Sequence, residues 1–441
     1  MTLERRRAGD DANRRTIAVL PFVNMSGDPE NEYFSDGISE EILNLLTKLP
    51  QLKVSSRTSS FAFKGKDINI PTVARELGVS TVLEGSVRRV GEHVRITAQL
   101  IETADDSHLW AESYDREMKD VFVIQDDIAR SIARALEVAL GPRERRALQN
   151  IATADVRAYD FYLKGRTYLH AFTTRDFHSA VSMFDRAIEL DPRYALAYAG
   201  KADAYSMLYR YAEAVPENLQ QAEDASRCAI DLDPDCAEAQ ASLGGALFIT
   251  GRYAEAAQKF ESAILINPEL YEPYLWYGRA TLAQGDFAKA ARLFVRASDV
   301  NQDDYQTAYY LAMSYRSMGR DELARQADQH ALAVVERHIK LNPDDARALT
   351  FGAIALASQG QRERAIEWGT AALQSREHEP HYLYNVACAF AQLNERARAL
   401  DLLERAIALG WGDRAWLEND SDLAALHDEP RFKALLERMR R

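Results

Sequence analysis

The chain has 441 residues and a formal net charge of −13, with 67 Asp and Glu against 54 Lys and Arg. That length exceeds what one hydrophobic core organises and predicts two or three folded units. The acidic balance excludes nucleic acid or an anionic membrane as the main partner, because both demand a basic face.

Three cysteines, Cys228, Cys236 and Cys388, lack C-x-x-C spacing. They form neither a disulfide framework nor a zinc site. All three read as buried reduced thiols at small-residue positions on helices, which fits a reducing compartment. Residues 1–15 carry Arg5, Arg6, Arg7, Arg14 and Arg15 without an apolar stretch. They read as a disordered leader or the stub of a linker, with a basic nucleic-acid arm as the functional alternative, and not as a secretory signal. No window approaches the roughly 20 apolar residues of a membrane span. A cytoplasmic protein without membrane insertion is expected.

Residues 16–141 read as an α/β domain. Thr16 to Val23 is nearly all apolar, as expected of a central strand covered on both faces. Ser35 stands before an amphipathic helix with Ile38, Ile42, Leu45, Leu46 and Leu49 on one face, stopped by Pro50. Leu52 to Ser55 reads as a strand. Pro71 and Gly78 bracket a short helix. The period then becomes two: Val82 to Arg89 and His93 to Leu100 are strands joined by a hairpin turn at Val90 to Glu92. Leu109 to Tyr114 extends this meander. Asp120 to Leu140 returns to helical spacing and ends at Gly141 and Pro142. The sheet is therefore expected to be mixed.

The segments IAVLPF, YFSDGISEEI, SSFAFKGK, LEGSVRR, VRITAQLIE, HLWAESYDRE and VFVIQDDIA follow in that order through residues 16–140. Together they resemble the TolB-like (FlgO-related) domain that precedes helical repeats in many bacterial proteins. The resemblance implies a regulatory or interaction role and supplies no catalytic residues. In that family the domain is often joined to a class III adenylate or guanylate cyclase domain, a winged-helix domain or a protein kinase. A cyclase domain needs two metal-binding carboxylates on a fold of well over ~100 residues. The short stretch before Ile17 gives it no room, so a non-enzyme with no cofactor and no metal site is expected.

After a linker at 142–155 the pattern becomes helical and periodic over 156–409. Gly251, Gly285 and Gly319 stand at a constant step of 34, as do Ala256, Ala290 and Ala324. Phe260 and Phe294, Gly244 and Gly278, and Pro234 and Pro268 keep the same step. This is the tetratricopeptide (TPR) signature: antiparallel helix pairs that stack into an all-α superhelix. About seven repeats align, the second and fifth of them lengthened. Residues 410–441 break the period. Leu423, Leu426, Phe432, Leu435 and Leu436 there read as an amphipathic cap over the last repeat.

The first helix of each pair lines the concave face of such an array. Tyr274, Arg279, Tyr309, Met313 and Arg316 are the candidate groove residues, aromatic surface with guanidinium groups for a carboxylate. The tyrosines Tyr194, Tyr198, Tyr205, Tyr209 and Tyr211 read mainly as core. His378 and His381, spaced H-x-x-H around Pro380, read as exposed loop imidazoles and not as metal ligands. Ser55 to Ser60 reads as a solvated loop, with a small-ligand site as its functional alternative. The expected function is a non-catalytic signalling scaffold that binds a protein or peptide in the groove. The alternatives are the regulatory portion of a cyclase system and a small-ligand sensor. The partner and the oligomeric state are not encoded legibly.

Overall fold

The computed structural model describes residues 15–439 apart from 50, 139, 142–152, 303, 412 and 413. The expected leader, the stop at Pro50 and most of the linker 142–155 lie outside the described residues. The chain divides into two compact units. One holds the described residues up to His170 together with Met183–Tyr194, and the other holds Ala171–Ser182 and everything from Ala195 onward.

The first unit is built on a six-stranded mixed sheet. β1 (Arg15–Val19) lies between β3 (Leu52–Val54) and β4 (Thr81–Val90), parallel to both. β4, β5 (His93–Glu102) and β6 (Ser107–Glu117) form the antiparallel meander. The apolar run opening the chain is shorter than its hydrophobicity predicts: β1 stops at Val19, and β2 (Val23–Asn24) resumes beside β4. Ile17, Ala18 and Val19 are fully buried, as a central strand requires.

Helix α1 (Glu32–Thr47) starts before Ser35, which lies inside it rather than capping it. The Ser39 hydroxyl donates back to the Ser35 carbonyl and accepts from the Phe22 amide at 2.8 Å. Gly37 in the same helix is a packing residue: a Cβ there would sit 2.6 Å from Leu163.

The Ser55–Ser60 segment is no open loop. Ser56 caps a five-residue helix, α2 (Arg57–Phe61), by accepting from the Ser59 amide. Ser59 and Ser60 are buried, and Arg57 reaches Glu40 at 2.7 Å. Glu40 also receives Arg166 at 2.6 Å. Burial opposes its ionisation, but the charges of Arg166 and Arg57 outweigh it and hold the carboxyl well below its usual range. Burial and the Arg57 charge push the neighbouring His170 down to about 4. A further helix, α3 (Ile70–Leu77), ends on Gly78, whose φ of 65° is the left-handed conformation a helix C-terminus favours. α4 (Val121–Ala135) completes the α/β layer.

From Val156 to Ala408 the described residues form seven consecutive helix pairs. They are α5 (Val156–Ala171) and α6 (Thr174–Leu190), α7 (Ala195–Tyr211) and α8 (Pro216–Leu232), α9 (Ala237–Ile249) and α10 (Tyr253–Ile266). Then come α11 (Tyr271–Ala283) and α12 (Phe287–Val300), α13 (Tyr305–Ser317) and α14 (Asp321–Leu341), α15 (Ala346–Ser358) and α16 (Arg362–Arg376), α17 (Pro380–Gln392) and α18 (Arg396–Ala408).

The 34-residue step has a steric cause. A Cβ on Gly278 would stand 2.5 Å from the fully buried Phe294 ring, so the two helices of that pair meet only where the side chain is hydrogen. Gly244 with Phe260 and Gly352 with Trp368 repeat the contact. Gly285 turns the chain at φ 77° between α11 and α12.

The cysteines differ in burial. Cys388 and Cys236 are buried, whereas Cys228 is exposed, contrary to the expectation of three buried thiols. Cys236 caps α9, its sulfur accepting from the Ala239 amide, and so does not stand within a helix.

Candidate functional site

Within the second unit the repeats curl until their ends meet. The ring of Tyr211, at the end of α7, lies 5.3 Å from that of His381 in α17. Phe172 sits edge-on to His381 at 5.3 Å and tilted against Tyr211 at 5.1 Å. Thr174 donates to Glu379 at 3.1 Å across the same seam. The first helices of successive pairs therefore face a closed bore rather than an open groove.

The C-terminal segment fills part of that bore. It comprises α19 (Arg414–Asn419), a 3-10 turn at Ser421–Leu426 and α20 (Pro430–Arg438). Leu423, Leu426, Phe432 and Leu435 are buried against the repeats, as a cap requires. Trp411, Trp416, Asn419 and Asp422 go further and reach the inner faces of several pairs, which hydrophobic spacing does not predict. Trp411 stacks on Tyr384 at 4.4 Å, and the Trp416 indole donates to the Tyr384 hydroxyl at 2.8 Å. The Asn419 amide donates to the Ala283 carbonyl at the end of α11. Asp422 accepts from Tyr309 at 2.8 Å and from Arg316 at 2.6 Å, and Asp420 accepts from Tyr384.

Two carboxyl groups here ionise at higher pH than an ordinary carboxyl. Burial, then the neighbouring Asp422, pushes Asp420 up to about 7; burial pushes Asp328 up to about 6 despite Arg316 at 2.8 Å. Both lie above the unfolded carboxyl value of about 3.9. Their contribution to stability is full below that value and is lost as pH rises through about 6 and 7. The repeat array is therefore expected to melt at lower temperature at about pH 8 than at about pH 5, by a few kcal/mol in total. Asp420→Asn should flatten the fall. An undiminished slope in that variant would contradict the assignment.

Beside the segment the bore keeps a chamber with about 580 Å³ of empty space, part of it open to solvent. Arg210, Arg279 and Arg347 enter it from α7, α11 and α15. Arg279 donates to the Tyr211 hydroxyl at 2.8 Å and stacks on Trp276 at 4.7 Å. Arg210 lies over Phe248 at 5.2 Å and Trp276 at 5.4 Å. Arg347 lies 4.0 Å over Phe172 and donates to Gln306 at 2.8 Å. Burial opposes ionisation of the Tyr211 phenol, but Arg279 and Arg210 outweigh it and bring the group down to about 8.

Of the expected groove residues, Arg279 and Tyr309 line the chamber. Arg316 does not; it is held between Asp328 and Asp422. Tyr274 is buried, its hydroxyl donating to the Pro268 carbonyl, and Met313 is 1% exposed in the core. His381 is the larger surprise. Pro380 does not interrupt a helix but opens α17 at its first turn, which carries His381 inward to 5% exposure while His378 stays outside. Arg210, Tyr211 and Arg347 carry no periodic signal and were not distinguishable from packing residues. Among the described residues no group of three or more His, Cys, Asp or Glu is placed to hold a metal ion. Among them, too, no helix is long and apolar enough to cross a membrane.

Family models described as tetratricopeptide repeat match residues 183–215, 216–270, 247–314 and 329–380. A putative adenylate cyclase 3 from Rhizobium meliloti (strain 1021) is 44% identical over 220 residues, 49% of this chain and 38% of that protein. The chain thus spans well under half the length of that relative. Among solved structures, PilW, a widely conserved type IV pilus biogenesis factor, is similar over 50% of this chain and 93% of its own, at 22% identity and a TM-score of 0.37. YrrB, a TPR protein with an unusual peptide-binding site, is similar over 42% and 92%, at 19% identity and a TM-score of 0.28. The C-terminal helical region of this chain contains tetratricopeptide repeats.

Proposed function

We propose that this chain is a non-catalytic scaffold of a bacterial signalling system, and that the inner face of its repeats binds polypeptide. The TolB-like resemblance of residues 16–140 supplies the regulatory context. One observation carries the binding: the inner face already holds a polypeptide, the chain's own segment from Trp411 to Leu426, through Tyr309, Arg316 and Tyr384. A partner engages this face by taking the segment's place, presenting an aromatic side chain followed by carboxylates. Arg279, Tyr309 and Arg316 are its contacts, with Tyr274 and Met313 supporting them from within the helix pairs. The test is binding in trans. A synthetic peptide of residues 411–427 should bind a chain whose own segment is loosened by Trp416→Ala and Asp422→Ala; absence of binding would remove the proposal.

A second function, as the regulatory portion of an adenylate cyclase system, is favoured by the 44% identity with the Rhizobium protein. Under it, the chain alters the turnover of a separately supplied class III cyclase domain. Unchanged turnover at saturating chain would exclude it.

A further inference from the structure

We propose that the chamber inside the repeat array is a binding site for a small aromatic anion, a planar ring bearing a carboxylate or a phosphate. Four independent features converge on it.

The first is His381. It is 5% exposed and lines the chamber, and neither ring nitrogen has a hydrogen-bond partner among the described residues. Buried polar atoms are almost always satisfied, so two orphaned nitrogens on one wall mark a place where a ligand supplies the partner. Burial, then the charges of Arg347 and Arg376, hold the imidazole well below its usual range. The ring is thus neutral and offers one donor and one acceptor.

The second is Arg347. Among the described residues its guanidinium forms no ion pair: one nitrogen donates to the Gln306 side-chain oxygen, and the plane rests on Phe172. Arg210 and Arg279 add positive charge to the same chamber, and the depressed Tyr211 phenol reports that field. Guanidinium groups present paired donors to carboxylate or phosphate oxygens.

The third is the aromatic wall. Tyr310, Phe351, Tyr384, Trp411 and Trp416 surround the charged groups. Their faces and edges accept a flat ring.

The fourth is Phe172. Its φ of 56° is a conformation that glycine adopts freely and a bulky side chain takes only against strain. The strain holds the ring between Tyr211, His381 and Arg347. Strained backbone of this kind gathers at ligand sites.

While the chain's own segment is seated, the α7–α17 seam and that segment close the bore, and the chamber left beside it takes a small molecule rather than a second polypeptide. The site shares Arg279, Tyr309 and Tyr384 with the inner-face peptide surface, and its own determinants are His381, Arg347 and Phe172. A chain that binds the small probes but no peptide retains this site and loses that function, and the converse outcome does the reverse.

The experiment is calorimetric titration of the full chain with phenyl phosphate and with benzoate. Saturable one-to-one binding of at least one is expected, and which one binds more tightly assigns the anion. Inorganic phosphate, acetate and uncharged benzyl alcohol should each bind at least about tenfold more weakly. Arg347→Gln and His381→Phe should each weaken binding by about tenfold or more, with unliganded melting as the control for folding. The probe comparison on the unmodified chain decides the matter even where a variant fails to fold. The proposal is overturned if neither aromatic anion binds below about 1 mM, if benzyl alcohol binds as tightly, or if folded variants bind unchanged.

Discussion

Trp416→Ala should lower the stability of the repeat array by about 3–5 kcal/mol, the cost of emptying a buried aromatic site. The indole is 4% exposed and meets Tyr310 edge-on at 5.8 Å. Its N–H is bonded to Tyr384, whose own hydroxyl bonds Asp420, so the loss extends along a buried polar chain. The effect should be local at first. Amide exchange from Arg414 to Leu426 should accelerate by orders of magnitude, while α9 and α10 keep their protection, because repeat arrays lose neighbour contacts stepwise. A urea midpoint and an exchange profile equal to those of the unmodified chain would mean that the segment is not held as described.

Glu40→Ala should cost the α/β unit about 3–5 kcal/mol, the loss expected when one partner of a buried ion pair is removed. The carboxylate side chain is 8% exposed and neutralises Arg57 and Arg166 together. Its pH behaviour is opposite to that of Asp420. Because its folded pKa is depressed, its contribution is present above the unfolded value of about 4.3 and is lost as pH falls through the folded one. Circular dichroism of the sheet and α1 during urea titration measures the change. A Glu40→Ala midpoint within error of the unmodified chain would show that Arg57 and Arg166 do not depend on this carboxylate.

Local features of the fold were legible in the sequence because they have local causes. The glycine–aromatic contact recurs at Gly244, Gly278 and Gly352, and Gly91, with φ of 58°, turns β4 into β5 where the period-two pattern breaks. Short elements were not legible: the five residues of α2 span little more than one helical turn, too few for any period to show. Ser35 looked like a helix start because serine favours caps, yet burial and the Ser39 hydrogen bond place it inside. Proline misled at His381 by the same kind of ambiguity, since it ends helices in their interior and opens them at the first position.

The site was the least legible part. Closure of the bore is the sum of many small rotations between pairs, none of which leaves a mark at any one residue. Arg279 and Tyr309 were placed on the inner face by counting helical positions. Arg210, Arg347 and Phe172 become neighbours only because α7 and α17 meet. Asp420 and Asp422 stand in a polar stretch with no pattern that marks burial, and it is their pairing with Tyr384 and Arg316 that takes them inside.

The central claim is that the inner face of the repeats is a polypeptide-binding surface occupied by the chain's own segment. Fluorescence anisotropy of a labelled peptide of residues 411–427 measures it most directly. The peptide should bind the Trp416→Ala, Asp422→Ala chain saturably and at least about tenfold more tightly than the unmodified chain, where the tethered segment competes at high effective concentration. Adding Arg316→Ala and Tyr309→Phe should abolish that binding. Equal affinity for the loosened and unmodified chains, or no binding to either, would contradict the claim.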